Sequence, residues 1–207
     1  MIAKDATAPV RLTPALAGVR ISPEEFDAVE DCDERYKYEL VNGVLIATPP
    51  PSAGERGPND TLGHLLQLYR ETHDQGSALD LTLPESEIRT SKNRRRADRV
   101  IWTGLGRTPN VRRDLPSIVI EFVSKDKRDF QRDYVDKREE YAEAGIREYW
   151  IIDRFRRVMT VIQWDADEVD EIEVQQADRY STPLLPGFEL PLAKLLSVAD
   201  ELDEASS

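Results

Sequence analysis

The sequence holds one cysteine, Cys32, and two histidines in 207 residues. A single thiol forms no intrachain disulfide, and one cysteine with two histidines cannot close a four-ligand zinc site. Cys32 lies in "EDCDER", where flanking acids oppose the thiolate and with it a nucleophilic role. Long apolar runs are missing as well: no stretch approaches the ~18 consecutive apolar residues of a membrane helix. The opening "MIAKDATAPVRLTPALAGVR" has no basic-then-apolar secretory pattern. A cytoplasmic protein with no membrane partner is expected. Positive charge is also short overall, with 28 basic against 40 acidic residues and a net charge of -12, which at first argues against a polyanionic partner.

The deficit is local. Residues 165–207 contain 12 of the 40 acids and only Arg179 and Lys194 as bases, a balance of -10, so residues 1–164 carry only -2. Within that nearly neutral body, "IRTSKNRRRADR" concentrates Arg89, Lys92, Arg94, Arg95, Arg96 and Arg99 around one acid, and "GRTPNVRRD" adds three arginines. A polyanion can be held there, although from composition alone a solvated hairpin loop is the simpler account.

Apolar content of 40% in a chain of this length supports one sizeable core. A loosely ordered leader is expected over 1–20, a single domain over 21–196 and an acidic tail over 197–207. Ser22 and Pro23 open a short helix whose first turn carries Glu24 and Glu25. "YKYELVNGVLIAT" reads as a hairpin with strands at 37–41 and 44–48, turning on Asn42-Gly43. After the loop "TPPPSAGERGP", Leu62, Leu65, Leu66 and Tyr69 fall at helical spacing, with Asn59 or Asp60 as the cap. Strands are expected at 78–83, 86–90, 98–102 and 117–124, then a helix over about 130–144 closed by Gly145, and strands in "EYWIID" and "VMTVIQW". The fold class that follows is α/β or α+β, a mixed sheet with helices on its faces.

Within "IVIEFV" both faces are apolar except for Glu121, and a carboxylate in a strand buried on both sides must be paired, protonated or metal-bound. In the following helix Phe130, Tyr134, Tyr141 and Ala144 form one apolar stripe interrupted by Lys137. Snorkelling, or pairing with Asp133, would explain an isolated lysine there. Asp98 opens the apolar run "RVIW". Glu39, alternating with Lys37 and Val41, reads by itself as a structural or solvated strand residue. Carboxylates converging beside a lysine, with no Cys/His cluster, describe a site for a hard cation such as Mg²⁺, suited to phosphodiester hydrolysis.

"YELVNG", "ADRVIW", "PSIVIEFVSKDKRDFQRDYVDKREEYAEAGIREYWIID" and "LPGFELPLAKL", in this order and spacing, resemble the Uma-type restriction endonucleases, a bacterial branch of the PD-(D/E)XK nuclease superfamily. The resemblance covers residues 21–196 and implies a restriction-endonuclease-like sheet flanked by helices. It implies Mg²⁺ (or Mn²⁺) on Asp98 and Glu121 with the main-chain carbonyl of Phe122, and a catalytic set of Glu39, Asp98, Glu121 and Lys137. The superfamily's strand lysine is Val123 here, and the Uma-type group is similar in moving it to the next helix, at Lys137. Two positions depart from the pattern: the proline before the first acid is Ala97, and "PSAGERGPND" lacks the family's frequent histidine, His64 lying further along. Arg94, Arg95 and Arg96, beside Asp98, are candidates for phosphate-backbone contact. The implied partner is nucleic acid, DNA in the first instance, with a homodimer as one way to cut both strands. The alternative, from a different class, is a catalytically silent module that binds nucleic acid or protein on the same fold.

Overall fold

The computed structural model describes residues 11–124, 136–165 and 168–205. Packing divides the chain into two units, residues 1–50 with 87–96 and residues 51–86 with 97–207.

In the first unit, β1 (Arg11–Leu12) pairs in parallel with β2 (Asp31–Cys32). Between them lies α1 (Pro23–Asp27), capped reciprocally by the Ser22 hydroxyl and the Glu25 carboxylate. β3 (Lys37–Val41) and β4 (Val44–Thr48) form the expected hairpin, with Asn42 and Gly43 both at positive φ as the tight turn requires. Leu12, Ile21, Phe26, Tyr38, Leu40 and Leu45 make the core. Residues 11–20 are therefore no loose leader, because Leu12 is buried and Leu16 and Val19 pack against this core. Residues 1–10 lie outside the described residues.

The second unit begins with α2 (Ala53–Thr72), six residues before the expected cap at Asn59. Its true cap is Ser52, whose N–H and hydroxyl both donate to the Glu55 carboxylate. Gly54, Gly57 and Pro58 hide this start, since they read as loop. The two glycines are there for space: a Cβ at Gly54 would lie 2.7 Å from the Arg154 guanidinium, and one at Gly57 would lie 2.2 Å from Leu202. Next come β5 (Leu79–Arg89) and β6 (Arg94–Thr103), long strands that each run from one unit into the other along the chain. Their far ends join the contacts of the N-terminal hairpin, which is why one expected domain becomes two units. The expected strands 78–83 and 86–90 are one strand, with Pro84 and a positive φ at Glu85 marking where they were divided.

β7 (Ile118–Phe122), α3 (Lys137–Ala144) and β8 (Glu148–Asp153) follow, then β9 (Val158–Asp165) and β10 (Glu168–Gln175). The strand order is β10-β9-β8-β7-β6, with β5 paired to β6. β7 and β8 are parallel while the neighbours of both are antiparallel, so the sheet is mixed. Gly145 ends α3 in the left-handed conformation (φ 91). Residues 125–135, including Phe130, Asp133 and Tyr134 of the expected helix, lie outside the described residues. β11 (Arg179–Tyr180) pairs with β12 (Leu190–Pro191), and α4 (Leu192–Glu204) ends the described chain. The expected acidic tail from 197 is thus largely helical, and Ala199 is buried in it. Ile118, Ile120 and Phe122 face a core shared with Leu62 and Leu66 of α2 and Leu195 of α4. Among the described residues no helix is long and apolar enough to cross a membrane.

The C-terminal segment is fixed to the sheet by a buried carboxylate. Glu148 Oε1 accepts from Thr182 Oγ1 (2.5 Å) and Gln163 Nε2 (3.0 Å), and Oε2 accepts from Trp150 Nε1 (2.8 Å) and Tyr180 OH (3.1 Å). Burial, reinforced by the neighbouring Glu148, drives the Tyr180 hydroxyl far up from its ordinary pKa and keeps it a donor. Replacing Glu148 by alanine leaves four donors facing a void. Glu148→Ala is expected to cost about 3 kcal/mol or more and to lower the thermal midpoint by about 6–12 °C in a circular-dichroism melt. An unchanged midpoint would show that the network contributes nothing.

Candidate active site

Alternation along β7 sends Ile118, Ile120 and Phe122 to the core shared with α2 and α4, and turns Val119, Glu121 and Val123 to the other face. There α3 covers the sheet, and Tyr141 packs edge-on against Tyr149 of β8 at 5.1 Å. Glu121 and Lys137 meet on this face. Lys137 Nζ donates to Glu121 Oε1 at 2.7 Å, with the two residues 1% and 3% exposed. The Tyr141 hydroxyl, one helical turn beyond Lys137, donates to the same oxygen at 3.3 Å. So Lys137 does not snorkel. Its ammonium lies in the protein interior, against the carboxylate that the apolar strand could not otherwise hold.

Asp98 is the next element of the geometry. The β6–β7 ladder pairs Arg99 with Ile120, and continuing that register by one residue sets Asp98 opposite Glu121. There the Asp98 side chain enters the pattern: its Oδ2 accepts from the Phe122 N–H at 2.8 Å. β7 keeps its other neighbour through this region, the Val123 N–H donating to Ile152 O at 2.9 Å. Val123, where the superfamily has its lysine, is buried and apolar. Asp98 itself is half-buried.

The Asp98 and Glu121 carboxylates on neighbouring strands form a hard oxygen donor set. Among the described residues no group of three or more His, Cys, Asp or Glu could hold a metal ion. Two carboxylates still fit Mg²⁺, which keeps several waters and takes substrate oxygens to complete its shell, whereas the set offers nothing to a soft metal.

Glu39 belongs to the first unit and is buried rather than solvated. Its Oε1 accepts from the Arg96 N–H at 2.8 Å, and Arg95 Nη1 lies 3.9 Å from Oε2. The arginine triplet divides by role. Arg94 pairs with Asp27 and donates to the carbonyls of Thr90 and Asn93, Arg95 is 1% exposed, and Arg96 is exposed. Of the three, Arg94 is half-buried, Arg95 is buried and Arg96 is exposed. His64 is exposed on α2.

Sequence reasoning missed Tyr141, Asn59 and Arg99 as members of this region. Tyr141 was visible as the residue four after Lys137 but counted as apolar stripe. Arg99 is buried beside Asp98, and burial lowers its pKa to about 10, so it remains cationic at neutral pH.

The fold is nuclease-like. A crystal structure described as that of a putative nuclease belonging to DUF820 from Anabaena variabilis matches with a TM-score of 0.67 over 86% of this chain and 99% of that chain, at 14% identity. Residues 23–193 match the model of the Uma2 family, described as "Putative restriction endonuclease", and the chain belongs to that family. No curated protein matches it in sequence.

The Glu121–Lys137 pair makes a prediction about stability. Lys137→Met should strand a buried carboxylate and cost about 3–5 kcal/mol, while Lys137→Met with Glu121→Gln should recover most of that loss. Urea denaturation of the two single variants and the double reads the coupling. Additive losses would mean that the pair is not coupled.

Proposed function

We propose that the protein is a Mg²⁺-dependent (or Mn²⁺-dependent) endonuclease that hydrolyses phosphodiester bonds in DNA. The observation that carries this reading is that β6 and β7 set Asp98 opposite Glu121 in register while α3 brings the Lys137 ammonium onto the Glu121 carboxylate. A dry ion pair is weak evidence for stability, since well-packed apolar residues of similar volume commonly do as well or better. Its presence in the central strand is better explained by chemistry than by folding.

In this reading Asp98, Glu121 and the Phe122 carbonyl hold the metal, which when bound neutralises charge developing on the phosphate and lowers the pKa of a coordinated water. The Phe122 N–H fixes the Asp98 carboxylate at one oxygen, so its orientation is set before any ligand arrives. Lys137, held as an ammonium by Glu121 and carrying three donors, orients water or stabilises the phosphorane oxygens. Tyr141 restrains the Glu121 oxygen that Lys137 also holds. Glu39 grips the β6 main chain at Arg96, two residues before Asp98, and Arg96, whose side chain is exposed, is the phosphate-backbone contact in this reading. Cutting both strands of a duplex calls for two such sites, which a homodimer supplies.

The test incubates supercoiled plasmid and single-stranded DNA with protein and Mg²⁺ or Mn²⁺, comparing wild type with the near-isosteric Asp98→Asn and Glu121→Gln. Metal-dependent cleavage reduced about a hundredfold or more in both variants is expected. Equal nicking by all three proteins, or DNA shifted in a gel but left intact, would overturn the enzyme reading and favour a silent binding module.

A further inference from the structure

The residue before the β6–β7 ladder is held from a second direction. Asn59, in the second turn of α2 and 6% exposed, donates from Nδ2 to the main-chain carbonyl of Asp98 at 2.8 Å. Its Oδ1 accepts from Arg99 Nε at 2.6 Å, and its own main-chain carbonyl accepts from Arg99 Nη2 at 3.0 Å. Arg99 Nη1 in turn donates to Thr82 Oγ1 at 3.2 Å, and that hydroxyl donates to the Val100 carbonyl at 3.0 Å. The guanidinium occupies a niche that exists because residue 63 is glycine, since a Cβ there would stand 2.6 Å from Nη2.

One side chain on α2 thus holds two consecutive residues of β6, Asp98 by its backbone and Arg99 by its side chain. Asn suits this place because it offers a donor and an acceptor on one short, rigid amide. A buried arginine whose hydrogen bonds go to the neutral Asn59 and Thr82 is costly, which argues that fixing the strand here matters more than burying apolar surface. The held position is the carbonyl of the same residue whose carboxylate takes the Phe122 N–H.

We infer that Asn59 is a positioning residue for Asp98, locking the backbone at that residue so that the carboxylate is presented beside Glu121 in the geometry a divalent cation requires. It touches neither metal nor substrate, and it acts through the Asp98 main chain. The inference rests on the reading of Asp98 as a metal-binding acid. Loss of partners that orient a metal ligand typically weakens metal binding 10- to 100-fold.

The test uses the full chain and Mn²⁺ alone as the probe. Mn²⁺ binding is followed by electron paramagnetic resonance and isothermal titration, beside DNA cleavage and thermal melts, for wild type, Asp98→Asn, Asn59→Asp, Gly63→Ala and Leu66→Ala. Asn59→Asp keeps the acceptor for Arg99 but replaces the donor to the Asp98 carbonyl with an oxygen. Gly63→Ala displaces the Arg99 guanidinium and leaves the Asn59 amide in place. Leu66→Ala destabilises the same helix from the core and removes no hydrogen bond to Asn59 or Arg99. Expected is a dissociation constant for Mn²⁺ raised about tenfold or more in Asn59→Asp, a smaller rise in Gly63→Ala, and none in Leu66→Ala despite its lower melting point. If Asn59→Asp binds Mn²⁺ as tightly as wild type while Asp98→Asn does not, the positioning role is wrong and the metal site stands. If wild type binds no Mn²⁺ and cleaves nothing, the metal-site reading falls and the inference with it. A loss in Leu66→Ala equal to that in Asn59→Asp would reduce Asn59 to a general stabiliser of α2 and overturn the proposal.

Discussion

Glu121 and Lys137 meet at 2.7 Å with almost no exposure to water, and charges that dry persist only where neither is left alone. Much of the second unit's layout answers that requirement. β7 is buried along its whole length, so its one carboxylate needs a cation from outside the strand. α3 brings that cation, and the next turn of the helix brings the Tyr141 hydroxyl to the same oxygen. Gly145 then takes the positive φ that lets the chain leave α3 and enter β8, whose parallel register with β7 runs from Ile118 to Phe122.

The ladder between β6 and β7 is informative where it changes character. Up to Arg99 and Ile120 it is ordinary strand pairing, and at the next residue the Asp98 side chain takes a main-chain N–H. A carboxylate that replaces a strand contact is held more firmly than one carried on a loop. Phe122 therefore serves twice, with its ring in the core shared with α2 and α4 and its amide on Asp98.

Much of this was legible in the sequence, for physical reasons that differ by element. The hairpin at 37–48 and the α1 cap declared themselves because Asn-Gly and Ser-Pro-Glu-Glu fix local geometry whatever surrounds them. Glu121 and Lys137 were visible as exceptions to two different periodicities, and the structure joins them. α2 was misread at its start because its glycines serve approach by Arg154, Leu202 and Arg99, a tertiary demand that local propensity contradicts. For the same reason Asn59 read as a cap when it is an interior residue with a strand to hold. Arg95 and Glu39 looked solvated because each is charged and lies in a charge-rich stretch of sequence; the burial of both depends on partners far apart in the chain.

The glycines of α2 bear on what gives that helix its shape. Gly54, Gly57 and Gly63 each cost about 1 kcal/mol of helix propensity relative to alanine, and Pro58 removes a backbone donor within the second turn. A segment so poor in intrinsic helicity holds its shape mainly through its neighbours. α2 is thus a helix made by docking, with α4 and the Arg99 guanidinium filling the spaces those glycines leave while the Asn59 amide reaches Asp98. The orientation of the acid at the strand end is in that sense a product of packing and not of local helix propensity.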